Sequence, residues 1–218
     1  MLLLAIFMNL FEVGDIRDSC FSEAMKIYLD SFPANERQSI DLIKKRFNEN
    51  RYQLFVGTIG DEVAVFSLIY RFKHPDFYLL DYYAVKKIYR NQKLGNNFLN
   101  SVFKEMKLDE NEFFLILEVE DPNYGNNRNE RTRRIQFYKT LGVKEIESMR
   151  YILPPLDNGK ELTDMIIMIY PAPKCKKITC ETLVSLVNEL YIKKYNRSAN
   201  DPLLKKCLEF IPKNIRFI

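Results

Sequence analysis

The run Tyr89-Arg90-Asn91-Gln92-Lys93-Leu94-Gly95 sets two cations, two side-chain amides and a glycine between an apolar stretch, LLDYYAV (79–85), and a patterned one, NNFLNSVFKEMK (96–107). A connection that only had to turn needs two or three residues. This one presents backbone N–H groups beside a helix start, with Arg90 and Lys93 at hand, which is the equipment of an anion site. Gly95 would let backbone come close to a ligand, and the cations would add charge-assisted bonds to phosphate oxygens. The other reading is a solvated connection with incidental basic residues. Further on, LEVEDPN (117–123) places Glu118 and Glu120 two apart at the end of an apolar run. At the strand period they share a face. Like charges on one partly buried face disfavour ionisation of both, which suits a general base; a solvated pair at a strand end is the alternative. Asp81, inside LLDYYAV, either contacts a substrate amine or sits at an edge. The single His74 stands beside Pro75 in a turn-like KHPD, so any Ser–His–Asp or Cys–His arrangement would have to use it. No cluster has metal-ligand spacing, and no metal is expected. Carboxylates, Tyr, Lys, Cys and backbone amides are left to do chemistry.

The chain that carries these residues has 218 of them, 47% hydrophobic and 28% charged, enough for one domain with an appendage. Its 33 basic and 29 acidic residues leave a net charge of +4, which suits a small anionic ligand locally and argues for no nucleic acid. Cys20, Cys175, Cys180 and Cys207 form no C-x-x-C pair and read as free thiols of a reducing cytoplasm. The opening MLLLAIFMNLF is too short to span a bilayer, and no other segment reads as a span. Residues 1–8 are a leader, with Met8 as the start, or an extension of the first strand.

Periodicity predicts helices at 20–32, with Ser19 as cap, and at 36–50. Strands follow at 52–60, 62–72 and 77–85, the first two joined by Gly60-Asp61, as an antiparallel meander. The loop of interest then leads to a helix at 96–107 and a strand at 112–120, a βαβ unit with the polar loop at the strand's C-terminal end. A polar loop (121–130), a helix (131–142) closed by Gly142, and strands within 143–156 and at 162–171 complete the pattern. The remainder reads as helices at 178–195 and near 201–210.

Strand, R-x-x-x-x-G loop, helix, strand, then a helix with Phe-Tyr and a closing glycine: in this order residues 9–171 resemble the GNAT superfamily of acyl-CoA-dependent N-acyltransferases. The family's loop commonly has an aromatic or apolar residue before R-G-x-G-I-G. Tyr89, Arg90, Leu94 and Gly95 match it, while Asn91 and Lys93 stand where glycines are usual. FYKTLG (137–142) is similar to the family's F-Y-E-K-x-G-F. The resemblance implies an α/β (α+β) fold, a mixed, mostly antiparallel central sheet flanked by helices, over 9–172. A C-terminal helical extension would occupy 173–218.

It implies acetyl-CoA as co-substrate, its diphosphate against Arg90, Asn91, Gln92, Lys93, Leu94, Gly95 and Asn96, and its pantetheine arm along the backbone of Tyr83, Ala84 and Val85. Tyr138 would protonate the departing thiolate. Glu118, with Glu120 beside it, would be the base that activates a small-molecule or peptide amine, and Asp81 would face that acceptor. The missing glycines suit a rival reading, a non-catalytic acyl-CoA-binding or sensing module. A nucleotide protein is disfavoured, since neither G-x-x-x-x-G-K-[ST] nor G-x-G-x-x-G is present. Finally, the apolar face of LVSLVNELYI (183–192) packs on its own domain or makes a homodimer contact or a lid. On this reading the cofactor cleft is complete without the tail.

Overall fold

The dense apolar residues of 52–71 form two long antiparallel strands, β2 (Tyr52–Ile59) and β3 (Glu62–Arg71). Gly60 takes φ of +59° at the turn, a conformation glycine adopts without a Cβ penalty. A short β1 (Asn9–Val13) pairs antiparallel to β2, and β4 (Phe77–Val85) follows β3 in the sheet. The computed structural model describes residues 7–72, 77–110, 112–156, 162–171 and 178–218. The expectations for His74, Cys175 and residues 1–6 lie outside those residues.

The polar loop gives way to α3 (Leu94–Glu105), and β5 (Phe114–Glu120) then pairs parallel to β4 from Phe77↔Phe114 to Leu79↔Ile116. After α4 (Arg128–Thr140) come β6 (Lys144–Glu145), β7 (Tyr151–Leu153) and β8 (Thr163–Tyr170), with β8 antiparallel to β5, β6 and β7. The strand order is β1-β2-β3-β4-β5-β8-β6, with β7 also on β8. This is the expected mixed, mostly antiparallel sheet flanked by helices.

The chain divides into two compact units. The first runs through Arg71 and adds Leu80–Lys107; the second comprises Phe72–Leu79 and Leu108–Ile218. In the first, α1 (Ser19–Ser31) lies on β2 and β3 and α2 (Ile40–Asn48) on β2, burying Phe21, Tyr28, Ile43, Leu54 and Leu68. Each such side chain contributes about 1.5–3 kcal/mol relative to exposure. α3 buries Phe98, Leu99 and Val102 against β1 and β3.

In the second unit, the tail forms α5 (Cys180–Glu189), a π turn over Leu190–Lys194 and α6 (Pro202–Glu209). The apolar face of α5 is buried within this unit, with Leu183, Leu186, Val187, Leu190 and Tyr191 all 0% exposed. Ile218 exchanges both backbone hydrogen bonds with Glu145 at 3.0 Å, so the chain end lies along β6.

Several boundaries differ from the periodicity reading. Asp18, not Ser19, caps α1, because its carboxylate reaches the Cys20 N–H. A 3-10 turn occupies Ala34–Glu36, so α2 starts only at Ile40, where the Ser39 hydroxyl accepts from Leu42 N–H. α3 starts two residues early, at the buried Leu94, and α4 three, where the polar Arg-Asn-Glu carries no apolar period. The tail helix widens at Leu190 instead of running on. Among the described residues no helix is long and apolar enough to cross a membrane.

Candidate functional site

In the first unit, the loop after β4 is built by local ties. Lys86 N–H donates to Ala64 O at 2.8 Å, and one 3-10 turn spans Lys87–Tyr89. The Lys86 ammonium pairs with Glu62, and the Tyr89 hydroxyl donates to the same carboxylate at 2.8 Å. Lys86 first, then Tyr89, hold Glu62 below its usual carboxylate range. Arg90 folds back: its Nε donates to Val85 O at 2.9 Å and its Nη2 to Ser31 Oγ at 3.4 Å. Gln92 Nε2 donates to Ile88 O at 3.0 Å.

The two positions where the family pattern has glycine are left-handed. Asn91 has φ of +63° and Lys93 +59°. Asn tolerates that region, whereas a lysine there costs about 1–2 kcal/mol. The loop therefore keeps the conformation that glycines would allow. Lys93 is also the residue before α3, and no side chain caps that helix start. A helix's first N–H groups have no intrahelical acceptor, so those of α3 are directed at whatever lies beyond it, with the positive end of the helix dipole behind them.

Gly95 serves a purpose that the sequence reading gave to a ligand. A Cβ there would stand 2.1 Å from the Tyr83 hydroxyl, and 3.4 Å from Tyr83 Cζ and Val85 Cγ2. Tyr83 stacks on Phe98, centroids 6.2 Å apart and planes 17° apart. The glycine thus admits a tyrosine of β4. A cleft of about 570 Å³ in this unit lies between α1, the β2–β3 turn and the start of the loop, lined by Lys86 and Tyr89 but by none of residues 90–96.

Asp81 is half-buried and accepts from the Tyr52 hydroxyl and from Gln38 Nε2 at 3.1 Å. Gln38 Oε1 in turn accepts from Arg46, whose guanidinium lies 5.4 Å from the Tyr70 ring centre. Burial, and then the Asp81 charge, push the Tyr52 phenol far up. Asp81 is thus part of a network that ties β4 to β2 and to the segment before α2.

In the second unit, the paired-carboxylate expectation needs correction. Glu120 accepts from Arg131 Nη2 at 2.8 Å and Arg134 Nη1 at 2.9 Å, both on α4. Glu118 accepts on Oε2 from the Tyr195 hydroxyl, in the tail. Each carboxylate has its own donors. Tyr151, fully buried in β7, has its phenol pushed far up by burial and then by the Glu118 charge beside it. Tyr138 is 8% exposed in α4, its ring 5.2 Å from that of Phe137. Burial pushes its phenol up to about 12, against a smaller opposing effect of Arg134. It keeps its proton at neutral pH, as an acid requires and as a core aromatic also would.

Tyr195 is the residue that sequence reasoning missed. The spacing of Tyr191, Lys194 and Tyr195 carried a signal, since it groups two phenols and an amine on one helical face. Among the described residues no group of three or more His, Cys, Asp or Glu is placed to hold a metal ion.

No protein-family model and no curated protein matches the chain. Solved structures do. A candidate acetyltransferase from the GNAT family of Bacteroides thetaiotaomicron superposes with a TM-score of 0.69 at 19% identity, covering 88% of this chain and 100% of that one. The ribosomal-protein-S18-alanine N-acetyltransferase of Escherichia coli gives 0.50 at 24% identity, covering 75% and 92%. A Bacillus subtilis acetyltransferase in complex with CoA gives 0.50 at 15%, covering 75% and 97%. At these identities the likeness is one of fold.

Proposed function

We propose, on the premise that this chain has the GNAT acetyltransferase fold, that it is an acyl-CoA-dependent N-acyltransferase moving an acetyl group from acetyl-CoA to a primary amine by direct attack in a ternary complex. The observation that carries the reading is the left-handed pair Asn91 and Lys93 leading into the uncapped start of α3. A diphosphate fits such a place, because loop and first-turn N–H groups converge where the helix dipole is positive. Residues 91–96 would hold it, with the exposed Lys93 ammonium adding charge. Arg90, engaged by Val85 O and Ser31, sets the loop's shape. The backbone of Tyr83, Ala84 and Val85 would take the pantetheine arm as an added strand.

Acetyl-CoA, when bound, supplies the acyl group as an activated thioester. The protein's part is proton traffic. Glu118 takes the proton of the attacking amine, since Glu120 is committed to two arginines. Tyr138 gives a proton to the departing sulfur. Asp81 would face the acceptor amine, its carboxylate held by Gln38 and Tyr52. The rival reading is a non-catalytic acyl-CoA binder; the left-handed backbone of Asn91 and Lys93 suits CoA binding under either reading, and transfer to an amine separates the two.

Calorimetry with CoA and with pantetheine tests the cofactor site: CoA is expected to bind at least ten-fold tighter. Equal, negligible binding of both would sink it. Thiol release from acetyl-CoA with spermidine, kanamycin, lysine and an alanine-starting peptide tests transfer. CoA binding without acceleration by any amine would favour the binder.

A further inference from the structure

The C-terminal segment reaches the carboxylate of Glu118. α5 ends at Glu189, and the helix widens into the π turn closed by Tyr195 N–H donating to Leu190 O at 2.9 Å. Single π turns inside helices re-aim the side chains that follow, and they recur at functional sites. This one is held from the buried side. Tyr191, 0% exposed, donates its hydroxyl to Ile152 O and lies 3.3 Å from Cys207 Sγ, and Ile152 N–H donates to the same sulfur at 3.3 Å. Lys194 is 1% exposed, with Nζ 5.1 Å from the Tyr195 ring centre. On this base the Tyr195 hydroxyl donates to Glu118 Oε2.

Among the described residues, the titratable groups that meet Glu118 are Tyr195 and Tyr191 from the turn and Tyr151 from β7, while Glu120, two residues along β5, is paired with Arg131 and Arg134 of α4. The phenols of Tyr151 and Tyr191 are both pushed far up, chiefly by burial, so neither is an anion that competes with Glu118 near neutral pH. The half-buried Tyr195 donates its hydroxyl to Glu118 Oε2.

We propose that Tyr195 is a positioning residue for acyl transfer: its hydroxyl orients the Glu118 carboxylate and lowers the pH at which that carboxylate is ready to accept a proton. The C-terminal segment is then a working part of the enzyme and not an appendage. The inference rests on the reading of Glu118 as the base. A hydrogen bond to the charged form favours that form, so its loss leaves the carboxylate protonated to higher pH and free to turn away.

The test uses the full chain as wild type, Tyr195→Phe, Glu118→Gln and the double variant. Acetyl transfer is followed from pH 5 to 9 with whichever of the four amines turns over, and Glu118 is titrated by the ¹³Cδ resonance that disappears in Glu118→Gln. Tyr195→Phe should lower kcat/KM by about ten- to a hundred-fold, the range of a hydrogen bond to a charged group. It should also move the acid limb and the Glu118 midpoint up by about one pH unit. CoA affinity should stay put, and the thermal midpoint should fall by a few degrees, the loss of one hydrogen bond. Glu118→Gln should cost about 10²–10⁴, and adding Tyr195→Phe to it less than about two-fold more. An unmoved Glu118 midpoint and acid limb in Tyr195→Phe, beside a crippled Glu118→Gln, overturns the positioning role while leaving the base. Full activity in Glu118→Gln overturns the base and the positioning role together.

Discussion

Gly95→Ala adds one methyl group where the structure has the Tyr83 hydroxyl 2.1 Å away. Something must shift, and the tyrosine is stacked on Phe98 and cannot swing freely. Overpacking of this kind costs about 1–3 kcal/mol. Replacing a helical glycine by alanine returns up to about 1 kcal/mol, less in the first turn, where Gly95 lies. The net expectation is a loss of about 1–2 kcal/mol, or roughly 3–6 °C in thermal midpoint for a chain of this size.

Tyr83→Phe removes the clashing oxygen and leaves contacts of 3.4 Å, which are ordinary. By itself it removes one half-buried hydroxyl and should cost no more than about 1 kcal/mol. In that background Gly95→Ala should be neutral or stabilising, so the two changes should couple by about 1–3 kcal/mol. Urea unfolding of the four proteins measures this directly. Additivity within about 0.5 kcal/mol would refute the packing argument. The same set separates two uses of the glycine. A stable double variant that no longer binds CoA would return Gly95 to the ligand.

Tyr138→Phe should lower turnover by about 10²–10⁴ at constant CoA affinity; full turnover at every pH would make it a core aromatic only. Burial raises the Tyr138 phenol from its ordinary 10.0 to about 12. The native chain keeps a proton that the unfolded chain loses, so this stability is present below pH 10 and lost as pH rises toward 12. Urea midpoints at pH 9 and 11 should fall less in Tyr138→Phe than in wild type, and equal falls would contradict the shift. Arg131, 14% exposed, should cost about 1–3 kcal/mol as alanine, because it leaves the half-buried Glu120 short of charge; Arg134, 49% exposed, should cost under about 1. Equal losses in thermal midpoint would break that ordering. Deleting 178–218 removes five fully buried apolar side chains of α5 and the π turn and should give aggregated protein by size exclusion. A monodisperse truncation with the parental midpoint would show the tail to be passive.

The sequence by itself determined the order of the elements, the βαβ step with its polar loop, and the residues that stand in that loop. These are local matters. A strand shows its period in a few residues, a turn its Gly-Asp, a helix its apolar stripe. At Asn91 and Lys93 the backbone takes the left-handed region that glycine favours, a conformation that the residue types there do not announce. The partners of the charged groups were another matter. Glu118 meets Tyr195 from 77 residues away, Asp81 meets Tyr52 and Gln38 from 29 and 43, and Glu120 meets arginines 11 and 14 residues on. A half-buried carboxylate takes the donors that chain packing brings to it, and strand alternation says only which face it occupies. The same holds for Gly95, which reads as a ligand's glycine until Tyr83 is seen to fill its place. Tertiary packing decided that Glu120 meets two arginines of α4 and that Glu118 meets a tyrosine of the C-terminal segment.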